Sequence, residues 1–397
     1  MRRRDRGSRP VGPRDRGAEN LELILDTTER AALACQERSG ELGPLINTFQ
    51  TVRDIDLLRM LLDRDKISWV GYYAGTWLGA HYATAFPNGV ERFVFDSSVE
   101  FTTDWQRSFD WQPLGFERRW RADFLPWIAR HHSTYHFGRT GVRARLNYEQ
   151  VRATLESEPV ELDGETIGPN EFDNQIIGSM YSKRAFVGLA EYVVAVRSLV
   201  RDGATGDEQR TALDTLRTLQ PGPVAPGPRP LMVPTGYEDA PTASFWSIPC
   251  NETEWIGDRE SVVAQSDQLG KRYPLLGWSW LVQPCIPWTG APITLPTPTG
   301  RGVPPVLMVQ SVHDPATPWE GARRAHRDFA GSAMLTVINE GDHGLYAGGN
   351  VCVDEVVENY LVDNVDPVDE VCEGTPLPDP DTEQAVNPRH AGLSSDS

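Results

Sequence analysis

The sequence predicts a parallel α/β sheet that is interrupted by a large helical insertion. Short apolar runs alternate with amphipathic helical segments towards both ends of the chain, which is typical of a parallel sheet covered by helices. Between residues 97 and 304 this alternation gives way to Trp-containing, helix-like segments and Pro-rich stretches. A short turn at residues 71–75, with glycine at each end, joins one strand directly to one helix.

Periodicity and helix-ending residues place the individual elements. Apolar side chains at helical spacing predict helices at 21–36, 51–63, 76–83, 319–329 and 350–361. Apolar runs of buried type predict strands at 67–70, 91–96, 305–310 and 333–338. No segment before residue 67 has the pattern of a strand.

These elements divide the chain into five predicted parts. They are a disordered start (1–20), the first part of the sheet and its helices (21–96), a helical cap (97–304), the C-terminal part of the sheet (305–372) and a disordered tail (373–397). Within the cap, a Pro- and Gly-rich stretch at 220–230 is predicted to be a loop or linker.

Charge and apolar content exclude several function classes. The 397 residues include 38 Lys and Arg against 56 Asp and Glu, a formal net charge of −18. This argues against binding to nucleic acid or to an anionic membrane, because both need a positive surface. No apolar run approaches the length of a membrane-spanning helix. The basic start is not followed by an apolar stretch, so the chain as written shows no signal peptide and is expected in the cytoplasm.

The five cysteines show no CxxC or Cys/His spacing, so a metal site is not expected. Cys250 and Cys285 bracket one segment, and Cys352 and Cys372 flank another. Two disulfides between these pairs would leave Cys35 without a partner. Five buried thiols in a cytosolic protein are the alternative, and spacing alone leaves both open.

Three candidate catalytic positions follow three predicted strands. Tyr73 is the centre of the glycine-flanked turn, where a Gly-x-Ser-x-Gly elbow would carry its serine. Asp314 follows strand 305–310, and His343 follows strand 333–338. Singly, these are ordinary features: a core aromatic, an Asp-Pro turn and a surface histidine. Their order and their placement at strand ends favour the α/β-hydrolase arrangement, in which an acid orients the imidazole that takes the nucleophile's proton.

Longer stretches around these positions resemble one family. The segment WVGYYAGTWLGA (69–80), with 82–83, 86–87 and RFVFD (92–96), is similar to the secreted tripeptidyl aminopeptidases of actinomycetes, which are serine peptidases of the prolyl-aminopeptidase type. The segments DPATP (314–318), GDHG (341–344), CV (352–353), YL (360–361) and Cys372 resemble the family's C-terminal, TAP-like module. The resemblance covers most of residues 50–372 and is weak in the cap.

The resemblance implies an activity and a role for each site residue. Members of such a family remove short peptides or an amino acid from a free N-terminus through an acyl-enzyme, without metal or cofactor. His343 would be the general base, Asp314 would orient it, Tyr73 would stand at the serine position, and the N–H of Ala74 would be an oxyanion donor. The partner would be a peptide with a free N-terminus, which an acidic chain is suited to bind. The family is extracellular, unlike this chain as written.

Two departures from the family pattern change the expected activity. A tyrosine phenol has a pKa of about 10, and its oxygen overshoots the position of a serine hydroxyl. The strands and the glycine-rich oxyanion segment that precede the elbow in the family have no counterpart, so the sheet is predicted to lack its N-terminal strands. Strand 67–70 is then expected to have an exposed edge, and the unpaired Cys35 fits a truncated chain or a misplaced start.

Together these observations predict a peptidase-family chain that is inactive or strongly impaired. One alternative is a peptide-binding protein that keeps the cleft without cleaving. Another is an esterase or other hydrolase that uses Tyr73 or a different residue. Ser97 and Ser98 follow the next strand and are interpreted as turn residues rather than as substitute nucleophiles.

Overall fold

The structure is a computed structural model and describes residues 12–219 and 240–382. The features predicted at 1–11, 220–230 and 383–397 lie outside the described residues. The strands are β1 (Ile67–Tyr73), β2 (Val90–Ser98), β3 (Val160–Leu162), β4 (Glu165–Ile167), β5 (Val306–Ser311), β6 (Ser332–Ile338) and β7 (Glu370–Glu373).

Helices make up most of the rest of the described chain. The α-helices are α1 (Ala18–Ser39), α2 (Thr48–Leu61), α3 (Ala74–Ala85), α4 (Trp105–Phe109), α5 (Gln112–Arg118), α6 (Leu125–Arg130), α7 (His132–Tyr135), α8 (Gly141–Ser157), α9 (Pro169–Ser179), α10 (Phe186–Val200), α11 (Gly206–Leu219), α12 (Ala240–Glu252), α13 (Arg259–Arg272), α14 (Trp319–Asp328) and α15 (Val351–Leu361). A π-helical turn (Arg119–Phe124) joins α5 to α6, and short 3-10 turns lie at Gly43–Leu45, Pro87–Gly89, Lys183–Ala185 and Gly277–Leu281.

The main sheet has five parallel strands in the order β1-β2-β5-β6-β7. The predicted parallel sheet is therefore confirmed, and the four predicted strands correspond to β1, β2, β5 and β6. Residues 12–66 contain helices and no strand, so β1 is an edge of the sheet within the described chain. The carboxyl ends of β1, β5 and β6 lie at the same end of the sheet because these strands run parallel.

Successive residues of the inner strands enter two different cores. Phe93 and Phe95 of β2 pack on one face with helices α3 and α14, whereas Val94 packs on the opposite face with Val353 and Val357 of α15. This follows from the two-residue period of a strand. A sheet with helices on both faces is the arrangement that continuous apolar strands predict.

The insertion between β2 and β5 forms a hydrophobic core of its own. Its fully buried aromatic side chains include Trp120, Phe124, Trp127, Phe172 and Phe186. The aromatic content of the predicted cap is therefore explained by packing. Helix α1 also belongs with this region, since Ile24 and Leu25 pack against Val262 of α13 and Leu281. The prediction that grouped all of residues 21–96 with the sheet differs from the structure at this helix.

Two further expectations need correction, and some short strands were missing from the prediction. The β3–β4 hairpin and strand β7 were not predicted, because both are short and rich in acidic residues; β7 reads Glu370-Val371-Cys372-Glu373. Residues 12–20, predicted to be disordered, are held by Arg14 and Arg16, and helix α1 begins among them at Ala18. Residues 373–382 are also placed, since Trp127 Nε1 donates a hydrogen bond to Pro378 O at 2.8 Å.

Two disulfides form between the predicted pairs. Cys250–Cys285 joins α12 to the loop that precedes β5, and Cys352–Cys372 joins α15 to β7. Cys35 in α1 is a free cysteine. The alternative of five free thiols is therefore wrong, and the weakly apolar strand β7 is tied covalently to the helix beside it.

The turn between β1 and α3 depends on one close backbone contact. A Cβ on Gly71 would lie 2.4 Å from Gly75 O and 2.4 Å from Trp69 Nε1, distances at which atoms overlap. A Cβ on Gly75 would meet nothing within 4 Å. The two glycines of the motif thus have different roles. Gly71 allows the helix to approach the strand, whereas position 75 has room for a side chain.

Replacing both Cys352 and Cys372 by alanine is expected to lower the free energy of unfolding by about 3 kcal/mol. The bridge spans 20 residues, and its loss leaves that loop open in the unfolded chain. Denaturant unfolding followed by circular dichroism measures the change. Cys35→Ser is the control and should change the free energy by less than about 0.5 kcal/mol. A double variant as stable as the control would contradict the expectation.

Gly71→Ala is expected to lower the free energy of unfolding by about 1–3 kcal/mol, because the new methyl group overlaps backbone atoms. Gly75→Ala is the matched control; it lies in α3, where alanine favours the helix over glycine by about 1 kcal/mol. Thermal and denaturant unfolding of both variants test the difference. Equal destabilisation by the two changes would show that the contact at Gly71 is not the constraint.

Candidate active site

The turn from β1 into α3 has the backbone geometry of a nucleophile elbow. Its central residue, Tyr73, has φ 49° and ψ −114°, a conformation that non-glycine residues rarely adopt and that costs about 1–3 kcal/mol. Thr76 Oγ1 donates a hydrogen bond to Tyr73 O at 2.6 Å, and Trp69 Nε1 donates one to Gly75 O at 3.1 Å. The strained turn is therefore held by side chains on both sides of it.

The acid and the histidine predicted from sequence lie in direct contact. Asp314, in the loop after β5, is fully buried. Its two carboxylate oxygens each lie 3.1 Å from Nδ1 of His343, which is in the loop after β6. Asp314 Oδ1 also accepts hydrogen bonds from the backbone N–H groups of Ala316 and Thr317 at 2.9 and 2.8 Å. The carboxylate thus fixes its own turn and orients the imidazole at the same time.

The imidazole of His343 has a defined orientation and an altered acidity. The backbone N–H of His343 donates to Tyr181 O at 2.9 Å, and its ring meets Tyr73 and Tyr181 edge to face, each at 5.5 Å between centroids. Burial alone would lower the pKa of His343, but the charge and hydrogen bond of Asp314 outweigh burial and raise it. With Nδ1 on Asp314, Nε2 is the nitrogen left to take a proton.

The hydroxyl of Tyr73 has few polar contacts in the described residues. Within the described residues its hydroxyl has one hydrogen-bond partner, Gln112 Nε2 at 3.5 Å, and its ring contacts the ring of His343 edge to face. Burial raises the pKa of Tyr73; nearby Tyr181 and Asp314 add to this effect, and the Gln112 contact opposes it. A raised pKa keeps the phenol protonated at neutral pH.

Little space remains around the phenol. A cavity of about 10 Å³ is lined by Tyr73, Trp111, Gln112 and Thr317 among other residues, which is room for about one water molecule. Ser98, the neighbour of Tyr73 across the β1–β2 pairing, also lines this cavity, but its Oγ donates to Phe95 O at 3.1 Å. The aromatic ring thus borders a cavity that is too small for more than a water molecule.

Ala74, the predicted oxyanion donor, begins helix α3 directly after Tyr73. It is exposed and stands at the N-terminus of this helix. A free N–H at a helix N-terminus points the positive end of the helix dipole towards a developing negative charge. The geometry is compatible with the predicted role, which itself stays a prediction.

Asp96 and Ser97, at the end of β2, hold the loop that carries His343. Asp96 Oδ2 accepts hydrogen bonds from the N–H groups of Leu345 and Tyr346 at 2.8 and 2.7 Å, and Ser97 Oγ accepts one from Gly344 N at 2.8 Å. Burial raises the pKa of Asp96 to about 6, against the lowering effect of these hydrogen bonds. Sequence reasoning missed this role, although a carboxylate at the end of a buried strand was a usable signal.

A buried charge cluster joins the insertion to the loops after β5 and β6. Its members are Arg119, Asp123, Lys183, His313, Glu340 and Asp342. Arg119 donates to Asp342 Oδ1 at 2.5 Å and to Asp123 Oδ2 at 2.6 Å. Because Asp342 precedes His343, the insertion helps to fix the position of the histidine. Sequence reasoning did not find this cluster, since its insertion-side members lie in no recognisable motif.

The described residues contain no group of three or more His, Cys, Asp or Glu side chains arranged to hold a metal ion. Over the same ranges, every helix is too short or too polar to cross a membrane. The side chains at the site itself are a buried carboxylate, an imidazole and a phenol.

Comparison with known proteins identifies relatives that share this framework. Residues 273–372, which include β5, β6, Asp314 and His343, match the family model of TAP-like proteins. Over 344 residues the chain is 32% identical to tripeptidyl aminopeptidase of Streptomyces lividans, a match that covers 83% of this chain and 59% of that protein. Serine protease Hip1 of Mycobacterium tuberculosis is 24% identical over 367 residues, covering 89% of this chain and 66% of Hip1.

The chain thus spans about three fifths of the length of the tripeptidyl aminopeptidase it matches. Among solved structures, an esterase from Exiguobacterium antarcticum matches with 11% identity and a TM-score of 0.27, covering 80% of this chain and 74% of the esterase. A match at that score carries no argument about the fold, which is assigned from the strand order and the elbow described above. Together with the identity to the Streptomyces enzyme, those features confirm the predicted resemblance: the chain is similar to the TAP-like peptidases and has the α/β-hydrolase fold.

Proposed function

We propose that this chain is a TAP-like peptidase-family protein that has lost most or all of its acyl-transfer activity. The observation that carries the proposal is Tyr73, whose ring stands at the nucleophile position while its hydroxyl points to Gln112. The base and its orienting acid, His343 and Asp314, are in contact. The site therefore retains the means to activate a nucleophile and lacks the nucleophile that these groups would serve.

The ancestral chemistry follows from the retained groups and from the name of the Streptomyces relative. A serine at position 73 would attack the carbonyl of a peptide bond near a free N-terminus, and His343 would take its proton at Nε2. Asp314 would stabilise the imidazolium, and the N–H of Ala74 would stabilise the oxyanion. Loss of a triad nucleophile lowers kcat by about 10⁴–10⁶, leaving what binding and the oxyanion hole supply.

The two alternative functions have less support. Peptide binding without cleavage needs space for a peptide at the site, and the cavity beside the ring of Tyr73 has a volume of only about 10 Å³. Hydrolysis through another residue would require Ser97 or Ser98. Ser97 is fully buried and bonded to Asp96 and Gly344, and Ser98 donates to Phe95 O.

We also propose that the protein works in an oxidising compartment, as the extracellular family that it resembles does. The two disulfides support this proposal, because structural disulfides persist outside the reducing cytosol. They count against the cytoplasmic location expected from the written start of the sequence. Secretion is testable by detecting the mature protein in culture medium.

Tyr73→Ser is expected to increase kcat/KM on chromogenic tripeptidyl or aminoacyl substrates by at least about 10², because the hydroxyl then lies within reach of His343. Steady-state assays of the two purified proteins measure the change. The unmodified chain is expected to show turnover at or near background.

Two controls separate restored catalysis from a general effect on the fold. Tyr73→Ala opens the same space without a nucleophile and is expected to stay inactive. Adding His343→Ala to Tyr73→Ser should abolish any gain. Robust turnover by the unmodified chain would sink the proposal, and covalent labelling of Tyr73 by a fluorophosphonate would support the tyrosine-nucleophile alternative instead.

The pKa of His343 can be tested without an activity assay. Because Asp314 raises its pKa against burial, the NMR titration of its ring protons should have a midpoint above the ordinary value of about 6.5. Asp314→Asn should lower the midpoint, since the charge of Asp96 alone then opposes burial. His343→Gln assigns the signal among the eight histidines, and an unchanged midpoint in Asp314→Asn would contradict the assigned cause.

The same raised pKa has a consequence for stability. A histidine that binds its proton more tightly in the folded than in the unfolded chain stabilises the fold below its unfolded pKa. This contribution is lost as the pH rises through the folded pKa of His343. Denaturant unfolding of the unmodified chain and of Asp314→Asn at pH values below and above neutrality provides a second readout.

A further inference from the structure

A second cavity lies within the insertion and is lined by residues of α7, α10 and α11. Its volume of about 510 Å³ is within the range of sites that hold small organic molecules. It shares no lining residue with the cavity beside Tyr73. The side chains of this insertion cavity therefore have no part in the chemistry proposed for His343.

Part of the wall of the insertion cavity is apolar. Val194 and Ala195 of α10 and Ala212 of α11 line it, and the two alanines belong to the buried core of the insertion. The hydroxyls of Ser198 and Thr211 also line the cavity, but they donate to backbone carbonyls of their own helices. The body of a bound molecule would therefore pack on apolar surface here.

The hydroxyl of Tyr135 is a polar group without a partner in the described chain. Tyr135 is 6% exposed, and its ring packs on Trp127 with 5.7 Å between the centroids. The hydroxyl makes no hydrogen bond within the described residues, although it is not one of their fully enclosed polar atoms. Because Tyr135 lines the insertion cavity, the cavity is the space that its hydroxyl faces. A polar group that loses water without gaining a hydrogen bond costs free energy, so this hydroxyl is available to a ligand.

Glu191 of α10 is an unpaired carboxylate at the same cavity. It is partly buried and makes no hydrogen bond or ion pair within the described residues, and burial raises its pKa. Burial also raises the pKa of Tyr135, and the charges of Glu191 and Asp381 add to this effect. Glu191 therefore lies near the hydroxyl of Tyr135 without bonding to it. The two groups can accept hydrogen bonds from one donor placed between them.

Two further carboxylates line the cavity, and each has a basic partner. Asp207 is paired with Arg210, and Glu208 is paired with Arg201 at 2.8 Å. Among the described residues that line the cavity there is no lysine or arginine. The described chain also has no group of acidic side chains arranged to hold a metal ion. The unpaired negative charge of Glu191 therefore favours an organic cation.

We propose that the insertion cavity binds a small organic amine. The ammonium group lies between the carboxylate of Glu191 and the hydroxyl of Tyr135 and donates hydrogen bonds to both. The rest of the molecule packs on the apolar wall of the cavity. A carboxylate on the same ligand is repelled by the acidic side chains of the cavity, so simple amines bind more tightly than amino acids.

Phenethylammonium, titrated into the unmodified chain and followed by ligand-observed NMR, tests the proposal. A dissociation constant of about 0.1–10 mM is expected for a cation of this size. 2-Phenylethanol has a similar shape without the charge and should bind at least about tenfold more weakly. Free phenylalanine adds a carboxylate to the same amine and should also bind more weakly. These comparisons use only the unmodified chain, so they hold even if a variant fails to fold.

Substitutions locate the site. Glu191→Gln removes the charge at nearly constant shape and should weaken the binding of phenethylammonium by at least about tenfold. Tyr135→Phe removes only the hydroxyl and should weaken it by about threefold. Glu156→Gln is the matched control and should leave the affinity unchanged, because Glu156 is an exposed residue of α8 that does not line the cavity.

Three results would overturn the proposal. The first is the absence of saturable binding, and the second is equal affinity for the amine and the alcohol. The third is an affinity that Glu191→Gln leaves unchanged, which would assign the binding to a different surface. All of these measurements are made with Tyr73 in place and without an activity assay. Their outcome is therefore independent of the proposed loss of acyl transfer.

Discussion

The site depends on one constraint, the close approach of β1 and α3 at Gly71. Glycine at position 71 allows helix α3 to begin immediately after strand β1, because a Cβ at this position would overlap Gly75 O. Tyr73, at the junction of the two elements, has a positive φ. This places residue 73 at the carboxyl end of the sheet, where the loops after β5 and β6 bring Asp314 and His343. The elbow is therefore a property of the backbone, and it persists whether the residue at its centre is a serine or a tyrosine.

The acid and the histidine remain in place because each also has a structural role. Asp314 accepts two backbone hydrogen bonds that close its own turn, and the loop of His343 is tied to Asp96, to Tyr181 and, through Asp342, to Arg119. Replacing the nucleophile breaks none of these contacts. The presence of an Asp–His pair is thus weak support for activity. The identity of residue 73 is stronger evidence about activity, because a nucleophile makes no comparable structural contacts.

The features that sequence reasoning found are those with a local physical cause. The apolar runs of β2 and β5, the glycine-flanked turn and the strand-end positions of Asp314 and His343 each have a signal within a few residues. Strand β7 was missed because pairing with β6 and a disulfide, not its own composition, make it a strand. The role of Asp96, the ties made by Arg119, the packing of α1 on α13 and the direction of the Tyr73 hydroxyl depend on contacts between residues far apart in sequence.

Tyrosine at position 73 has a consequence for packing as well as for chemistry. A working elbow must leave space in front of its serine for a substrate, and such space is unpacked protein that costs stability. Here the ring of Tyr73 contacts the ring of His343 and packs against the core between α3 and α14. Once catalysis is not required, an aromatic side chain in this cavity is favoured by the same burial that fills any core. Tyrosine at position 73 is therefore stabilised by packing.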